Sequence, residues 1–231
     1  MIFEKPLIPG RLIRRYKRFL ADIELETGEV ITAHCPNSGS MLTCNIPGRE
    51  VLLSFHDNPN RKYAHTWEMV RVSLIWVGIN TQIPNRLVYE TILDGQIPEF
   101  IEYTKVQKEK KVGQHSRLDL MLSNDKETCY VEIKNVTLVE NDVALFPDAV
   151  TVRGTRHLME LMKLREQGHR AVIFFLIQRE DARLVAPADK IDAKYGETLR
   201  QAFANGVEIL PYQAVVSPQE IRIKQKLDFR F

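Results

Sequence analysis

The sequence predicts a mixed α/β (α+β) chain in two parts. Residues 1–80 read as a β-barrel of the oligonucleotide/oligosaccharide-binding type and residues 81–231 as a mixed-sheet domain. Three observations predict this. Short strand-forming runs with close turns follow one another from Gly10 to Ile79. Near Asn80 the pattern changes, and helical and extended segments begin to alternate. In the middle of that second part lies a charged hairpin, Ser116 to Asn135.

In the first part the strand-like runs are Gly10–Tyr16, Phe19–Leu25, Val30–His34, Glu50–His56 and a longer one from Thr66 to Gly78. Turns fall at Thr27-Gly28, Pro36 to Gly39, Pro47-Gly48 and Asp57 to Asn60. A small barrel fits this rhythm and offers a single-strand binding face, with a sandwich as the alternative. Basic and aromatic residues interleave from Arg61 to Val72, but Tyr63 and Trp67 read as core residues more readily than as stacking platforms. The segment HCPNSGSM, His34 to Met41, is the densest polar constellation. With turn formers at Pro36, Asn37 and Gly39 and hydroxyls on Ser38 and Ser40, it either holds a phosphate or closes a loop. His34, Cys35 and Cys44 lack a fourth ligand for zinc, and Cys35 has no identifiable base to make it a nucleophile.

The second part opens with Asn80-Thr81 as a cap and a short helix, Pro84 to Leu93, that carries Glu90 and stops at Gly95. The hairpin follows, with strands Arg117–Leu122 and Thr128–Ile133 around a tip at Ser123–Glu127. Centring the loop on Asn124 and Asp125 sets Asp119 opposite Tyr130 and diagonal to Glu132, so that Asp119, Glu132 and Lys134 share one face. Carboxylates this close raise each other's pKa unless a cation intervenes, so the face is either a divalent-metal seat or a set of cross-strand salt bridges. Beyond it, Val136 to Phe146 is extended. Asp148 to Glu166 forms a helix capped by Asp148 or Thr151, closed by Gly168, with Arg153, Arg156 and His157 in its polar first turns. Ala171 to Gln178 is a continuous apolar strand, followed by a helix, Tyr195 to Asn205, and a strand, Val207 to Leu210.

Composition bounds the class. With 44% hydrophobic and 27% charged residues in a chain of 231, a large core forms and disorder is excluded. Charges interrupt the apolar N-terminal stretch, and Ala171 to Gln178 is too short to cross a bilayer, so the expectation is a cytoplasmic protein with no membrane partner. Three cysteines without a paired motif fit reduced thiols. The net charge of +2 demands no polyanion. Yet Arg11, Arg14, Arg15, Lys17 and Arg18 cluster near the start, and Lys105, Lys108, Lys110 and Lys111 precede the hairpin. Such clusters are solvated faces or the grip of a nucleic-acid site.

Asp119, twelve intervening residues, then Glu132, Ile133 and Lys134 resembles the PD-(D/E)xK nuclease core, which places a helix before the hairpin and a helix and strand after it. Over nearly the whole chain, GRLIRRYKRFLAD, HCPNSGSM, YVEIKNVTL, FPDAVTVRGTRHLMEL and GVEILPY resemble the sugar fermentation stimulation protein A (SfsA) family. The resemblance implies an N-terminal barrel, a nuclease-like C-terminal domain, DNA as the first candidate partner and a role in regulating sugar (maltose) metabolism. It implies Glu90 as the helix acid, Asp119 and Glu132 as ligands of Mg²⁺ or Mn²⁺ together with Glu90, and Lys134 as the signature lysine. Leu118 stands where the signature has proline, a position without chemistry. Arg153 and His157 are candidates for gripping phosphate, with Arg117, Gln114, Arg14, Arg15, Lys17, Asn37 and Ser38 as weaker ones. Two functions stay open: a metal-dependent nuclease or phosphodiesterase, and a non-catalytic DNA-binding regulator. No helix-turn-helix is visible to give the second a specific reader.

Overall fold

Strand formers alternate with turn residues through the first third of the chain until the strands close on themselves. A computed structural model describes residues 1–112 and 116–231, the Ser116 side chain excepted. Strands β1 (Ile8–Tyr16), β2 (Leu20–Leu25), β3 (Val30–His34), β4 (Glu50–Phe55) and β5 (His65–Val72) pair in the order β3-β2-β1-β4-β5. A parallel contact between β3 and β5 at His34 and Thr66 closes the barrel. Leu12, Ile23, Leu53 and Trp67 fill it, and the Trp67 indole donates to the Met69 carbonyl, so Trp67 is a core residue. The expected single strand from Thr66 to Gly78 is instead a hairpin of β5 and β6 (Ile75–Gly78), turning at Ser73 with φ 53°. The turn has none of the Gly, Pro, Asn or Asp that most strongly mark one, which is why the run reads as continuous.

The second part is a six-stranded sheet in the order β15-β14-β12-β9-β8-β7. Its strands are β7 (Lys105–Val112), β8 (Ser116–Ser123), β9 (Thr128–Val136), β12 (Arg170–Ile177), β14 (Glu208–Val216) and β15 (Ile221–Lys226). The apolar strand β12 lies parallel between β9 and β14 and is buried from Ala171 to Ile177. Helix α1 (Ile83–Leu93) covers one face through Leu87, Val88 and Ile92. Helices α2 (Val152–Glu166) and α3 (Ala193–Ala204) cover the other through Leu158, Leu161 and Leu199. A smaller sheet runs along the side, built on β10 (Leu138–Glu140), β11 (Val143–Phe146) and β13 (Leu184–Pro187).

Two boundaries differ from expectation. The extended piece after the hairpin breaks into β10 and β11, because Asn141 and Asp142 turn through positive φ. Helix α2 begins at Val152 with Thr151 as its cap, the hydroxyl accepting from the Gly154 amide, while Asp148 is spent on the barrel. Strand β7 has no apolar signal, being an edge strand studded with lysines that discourage further pairing.

The two parts are pinned together. The Arg179 guanidinium, 3% exposed, donates to the Thr137 carbonyl at 2.6 Å and the Thr43 hydroxyl at 3.3 Å, and pairs with Asp181. The Gly78 amide donates to the Gln178 carbonyl, and a Cβ on Gly78 would stand 2.5 Å from Gln178 Oε1. Residues 1–3 join the C-terminal sheet: the Met1 amino group donates to the Ile221 carbonyl and the Phe3 amide to that of Gln219. Among the described residues, no helix is long and apolar enough to cross a membrane.

Arg179→Met should therefore cost about 2–4 kcal/mol in urea unfolding, since it removes the buried guanidinium that joins the two parts and leaves the Thr137 carbonyl only the 3.5 Å contact from the Thr43 hydroxyl. A second expectation concerns Glu68 on β5, which is buried between the Ser54 hydroxyl and the Asn80 amide with no cation bonded to it among the described residues. Burial pushes its pKa above the usual carboxylate value, outweighing the lowering by those hydrogen bonds. Because the folded pKa lies above the unfolded one, its contribution to stability is full at low pH and is lost as pH rises through the folded value. Glu68→Gln should flatten that decline when unfolding free energy is measured from pH 5 to pH 8, a range of about three units.

Candidate metal and phosphate site

The hairpin β8–β9 turns through Asn124 to Glu127, where the Asn124 carboxamide oxygen accepts from the Lys126 and Glu127 amides. This longer tip pairs Leu120 with Val131 and Leu122 with Cys129. The register is thus shifted by two residues from the expected one, and its continuation sets Asp119 opposite Glu132 instead of Tyr130. A shift of two keeps every side chain on its face, so the acids stay together and come closer. Backbone pairing lapses beyond Leu120 and Val131, and the Asp119 carboxylate accepts from the Ile133 amide at 2.7 Å in its place. The β7 ladder likewise skips this level, where Glu109 has φ 53°.

Glu132 is 2% exposed. Its Oε1 accepts from Lys134 Nζ at 2.6 Å and from His157 Nδ1, while His157 Nε2 accepts from Arg153 Nε at 3.4 Å. One tautomer, with the proton on Nδ1, satisfies both imidazole bonds. Glu132 Oε2 is buried with no hydrogen-bond partner among the described residues. Burial pushes the Asp119 carboxyl up to about 6, reinforced by the Glu132 charge and opposed by the Ile133 amide, Lys134 and Asn85. Burial also raises Glu132, but Lys134 and His157 together outweigh it and hold that carboxyl below the usual range.

A cavity of about 390 Å³ lies over these groups. Asp119, Glu132 and Lys134 line its floor and Arg153 its side, with Asn37 and Ser38 on the barrel side. Several expected residues lie elsewhere. Glu90 does not line the cavity; it pairs with Arg86 at 2.6 Å. Asn85 takes the place expected for it, donating to Asp119 Oδ1 at 2.7 Å, because the start of α1 abuts the hairpin and Glu90 lies about 7.5 Å further along the axis. His157 is buried against Glu132 and is not placed to grip a ligand. Arg117 pairs with Glu109 and Arg14 with Asp22, and Lys17 sits in a left-handed turn, all outside the cavity. Arg15 braces the loop, donating to the carbonyls of Asn37 and Ser40. The Asn37 side chain is spent on the Ile79 carbonyl and the Gly39 amide, and Ser38 is exposed at the rim. Gln114 lies outside the described residues.

Sequence reasoning missed Asn85 and Asp148. Asp148 accepts from the Met41 amide at 2.9 Å, and its carbonyl accepts from the Ser40 hydroxyl, joining the HCPNSGSM loop to the segment before α2. The side chain of each looks like that of a helix-end residue, and nothing in spacing links either to a distant loop.

His157→Ala, which leaves Glu132 Oε1 with Lys134 alone, should cost about 2–4 kcal/mol. Glu90→Gln should change stability by less than about 0.5 kcal/mol, since it removes only an exposed helical pair. Parallel urea titrations check both.

Known proteins resemble the chain along its whole length. A family model described as "SfsA N-terminal OB domain" matches residues 13–79, and one described as "Sugar fermentation stimulation protein RE domain" matches residues 82–220. A sugar fermentation stimulation protein homolog of Geotalea uraniireducens is 57% identical over 225 residues, 97% of each chain. One from Geobacter metallireducens is 55% identical over 223 residues, 96% of each chain. The structure of Pyrococcus furiosus SfsA in complex with Ca²⁺ superposes with a TM-score of 0.92 at 28% identity, covering 100% of this chain and 98% of that one. With both parts matched and identities this high over almost all of its length, the chain belongs to the sugar fermentation stimulation protein (SfsA) family.

Proposed function

We propose that the chain binds nucleic acid, with DNA the first candidate, and cleaves a phosphodiester at a site for Mg²⁺ or Mn²⁺ formed by Asp119 and Glu132. The observation that carries this is the unpartnered, buried Glu132 Oε2 beside the Asp119 carboxyl at the base of an open cavity. An acceptor sealed from water without a donor is costly, and a hard cation satisfies it. Among the described residues no set of three His, Cys, Asp or Glu side chains forms a complete cage. The reading rests on two carboxylates, the number Mg²⁺ takes where water and substrate oxygens fill its remaining positions. Asp119 and Glu132, with the Ile133 carbonyl, would hold the ion. Bound there, it would supply Lewis-acid polarisation of the phosphodiester. The Pyrococcus furiosus relative, solved in complex with Ca²⁺, supports an oxygen-seeking cation in this family.

The chain's own residues do the rest. Lys134 presents an ammonium beside the acids, where negative charge develops on the reacting phosphate. Arg153, exposed at the cavity side, offers a fork of donors to a phosphate oxygen. His157 holds Glu132 in place, and Asn85 does the same for Asp119. Glu90 has no part. The second reading, a non-catalytic DNA-binding regulator of sugar metabolism, is favoured by one observation: both Asp119 oxygens already accept hydrogen bonds.

Mn²⁺ at about a hundredfold excess over its Kd should raise the melting temperature by about 5–10 °C. Asp119→Asn should abolish that rise. Incubation with labelled DNA should show Mn²⁺-dependent cleavage that is lost in Lys134→Ala. A melting temperature indifferent to Mn²⁺ overturns the metal site. Metal binding without cleavage of any DNA leaves the regulator.

A further inference from the structure

The walls of the cavity restrict what can reach its floor. On the barrel side the loop from Pro36 to Met41 overhangs it, fastened at both ends. At one end the Pro36 carbonyl accepts from the Thr81 hydroxyl at 2.6 Å and the Thr81 amide at 3.1 Å. At the other, Met41 and Ser40 bond to Asp148. Between them Gly39 passes so close that a Cβ would stand 2.5 Å from the Asp148 carboxylate oxygens. Arg15 holds the loop from behind through the Asn37 and Ser40 carbonyls. The adjoining wall is the segment from Leu145 to Thr151, which Asp148 ties to the loop. The acids therefore lie in a recess between two interlocked walls, with Glu132 almost wholly shielded.

From this geometry we infer, building on the phosphodiester reading above, that the site takes an unpaired nucleic-acid strand and not a duplex. A duplex carries its phosphates on a stiff rod, with a persistence length of about 150 bp, and must bend or unstack to lower one of them between the two walls, at a cost of several kcal/mol. A single strand bends at each nucleotide and can lower one phosphate to the floor. Charge points the same way. A duplex binder typically spreads some 6–10 phosphate contacts over a broad basic surface. Here the cations lining the cavity among the described residues are Lys134 and Arg153, while Arg14 and Arg117 are paired with Asp22 and Glu109. One wall is apolar, through Leu145, Phe146, Pro147, Ala149 and Val150, the last 72% exposed. Such a wall offers a surface to base faces, which an unpaired strand presents freely and a duplex only at the cost of unstacking a step.

The test is fluorescence anisotropy on the full chain in Ca²⁺, with a labelled mixed-sequence DNA strand, the same strand annealed to its complement, and a duplex bearing an unpaired tail. The free strand and the tailed duplex should bind at least about tenfold tighter than the blunt duplex. Asp148→Ala, which frees the Met41 amide and loosens the overhang, should narrow that ratio to about twofold or threefold, with Ser40→Ala acting in the same direction through a single bond. Blunt duplex bound as tightly as single strand overturns the inference and leaves the phosphodiester reading intact. An undiminished ratio in both variants overturns it as well, because the overhang is then not its source. Absence of any Ca²⁺-dependent binding overturns both readings.

Discussion

A carboxylate sealed from water has to be neutralised from inside the fold, and Glu132 imposes that requirement on everything around it. Lys134 answers from the same strand, two residues on, where the alternation of β9 returns to the same face. His157 answers from α2, packed on the face that Glu132 points to, and this ties α2 to β9. The start of α2 is fixed in turn: Thr151 caps it, and the Thr151 amide is held by Asp192, whose other oxygen accepts from Tyr195 at the start of α3. One buried charge thus accounts for the placement of two helices, and the apolar packing of Leu158, Leu161 and Leu199 stabilises an arrangement whose rotation is set by polar contacts.

Asp119 obeys a different constraint. Where the β8–β9 ladder lapses, an unpaired Ile133 amide would be left half-buried, and the Asp119 side chain substitutes for the missing backbone acceptor. The break and the carboxylate are a matched pair. They turn an ordinary hairpin into one with an acid held at its waist and the neighbouring peptide group released from pairing.

Much of this was legible in the sequence because it depends on parity and period. The face shared by Asp119, Glu132 and Lys134 survives a two-residue error in register, since only an odd shift would have separated them. The buried strand β12 and the helix α2 announce themselves through apolar content and spacing. What stayed hidden depends on relations that no local pattern encodes. Glu90 is the one acid between Pro84 and Leu93 and so draws the reading, whereas the position of α1 along its own axis decides that Asn85 reaches the hairpin. His157 reads as an exposed polar residue until Glu132 is placed beneath it. Strand β7, KVQKEKKV, reads as a charge cluster because edge strands do not need an apolar face of their own.

The seam at Gly78 bears on inheritance. The two halves match separate family models, 13–79 and 82–220, as if they were independent modules. Yet position 78 has no space for a side chain against Gln178, and Asp148 of one half completes the loop of the other. A barrel acquired by recombination would have to arrive with a glycine at that seam and a loop shaped to an aspartate it had never met. Halves fitted to each other in this way would have to change together, so the seam, although it falls between two recognisable modules, would be a poor place for a genetic crossover.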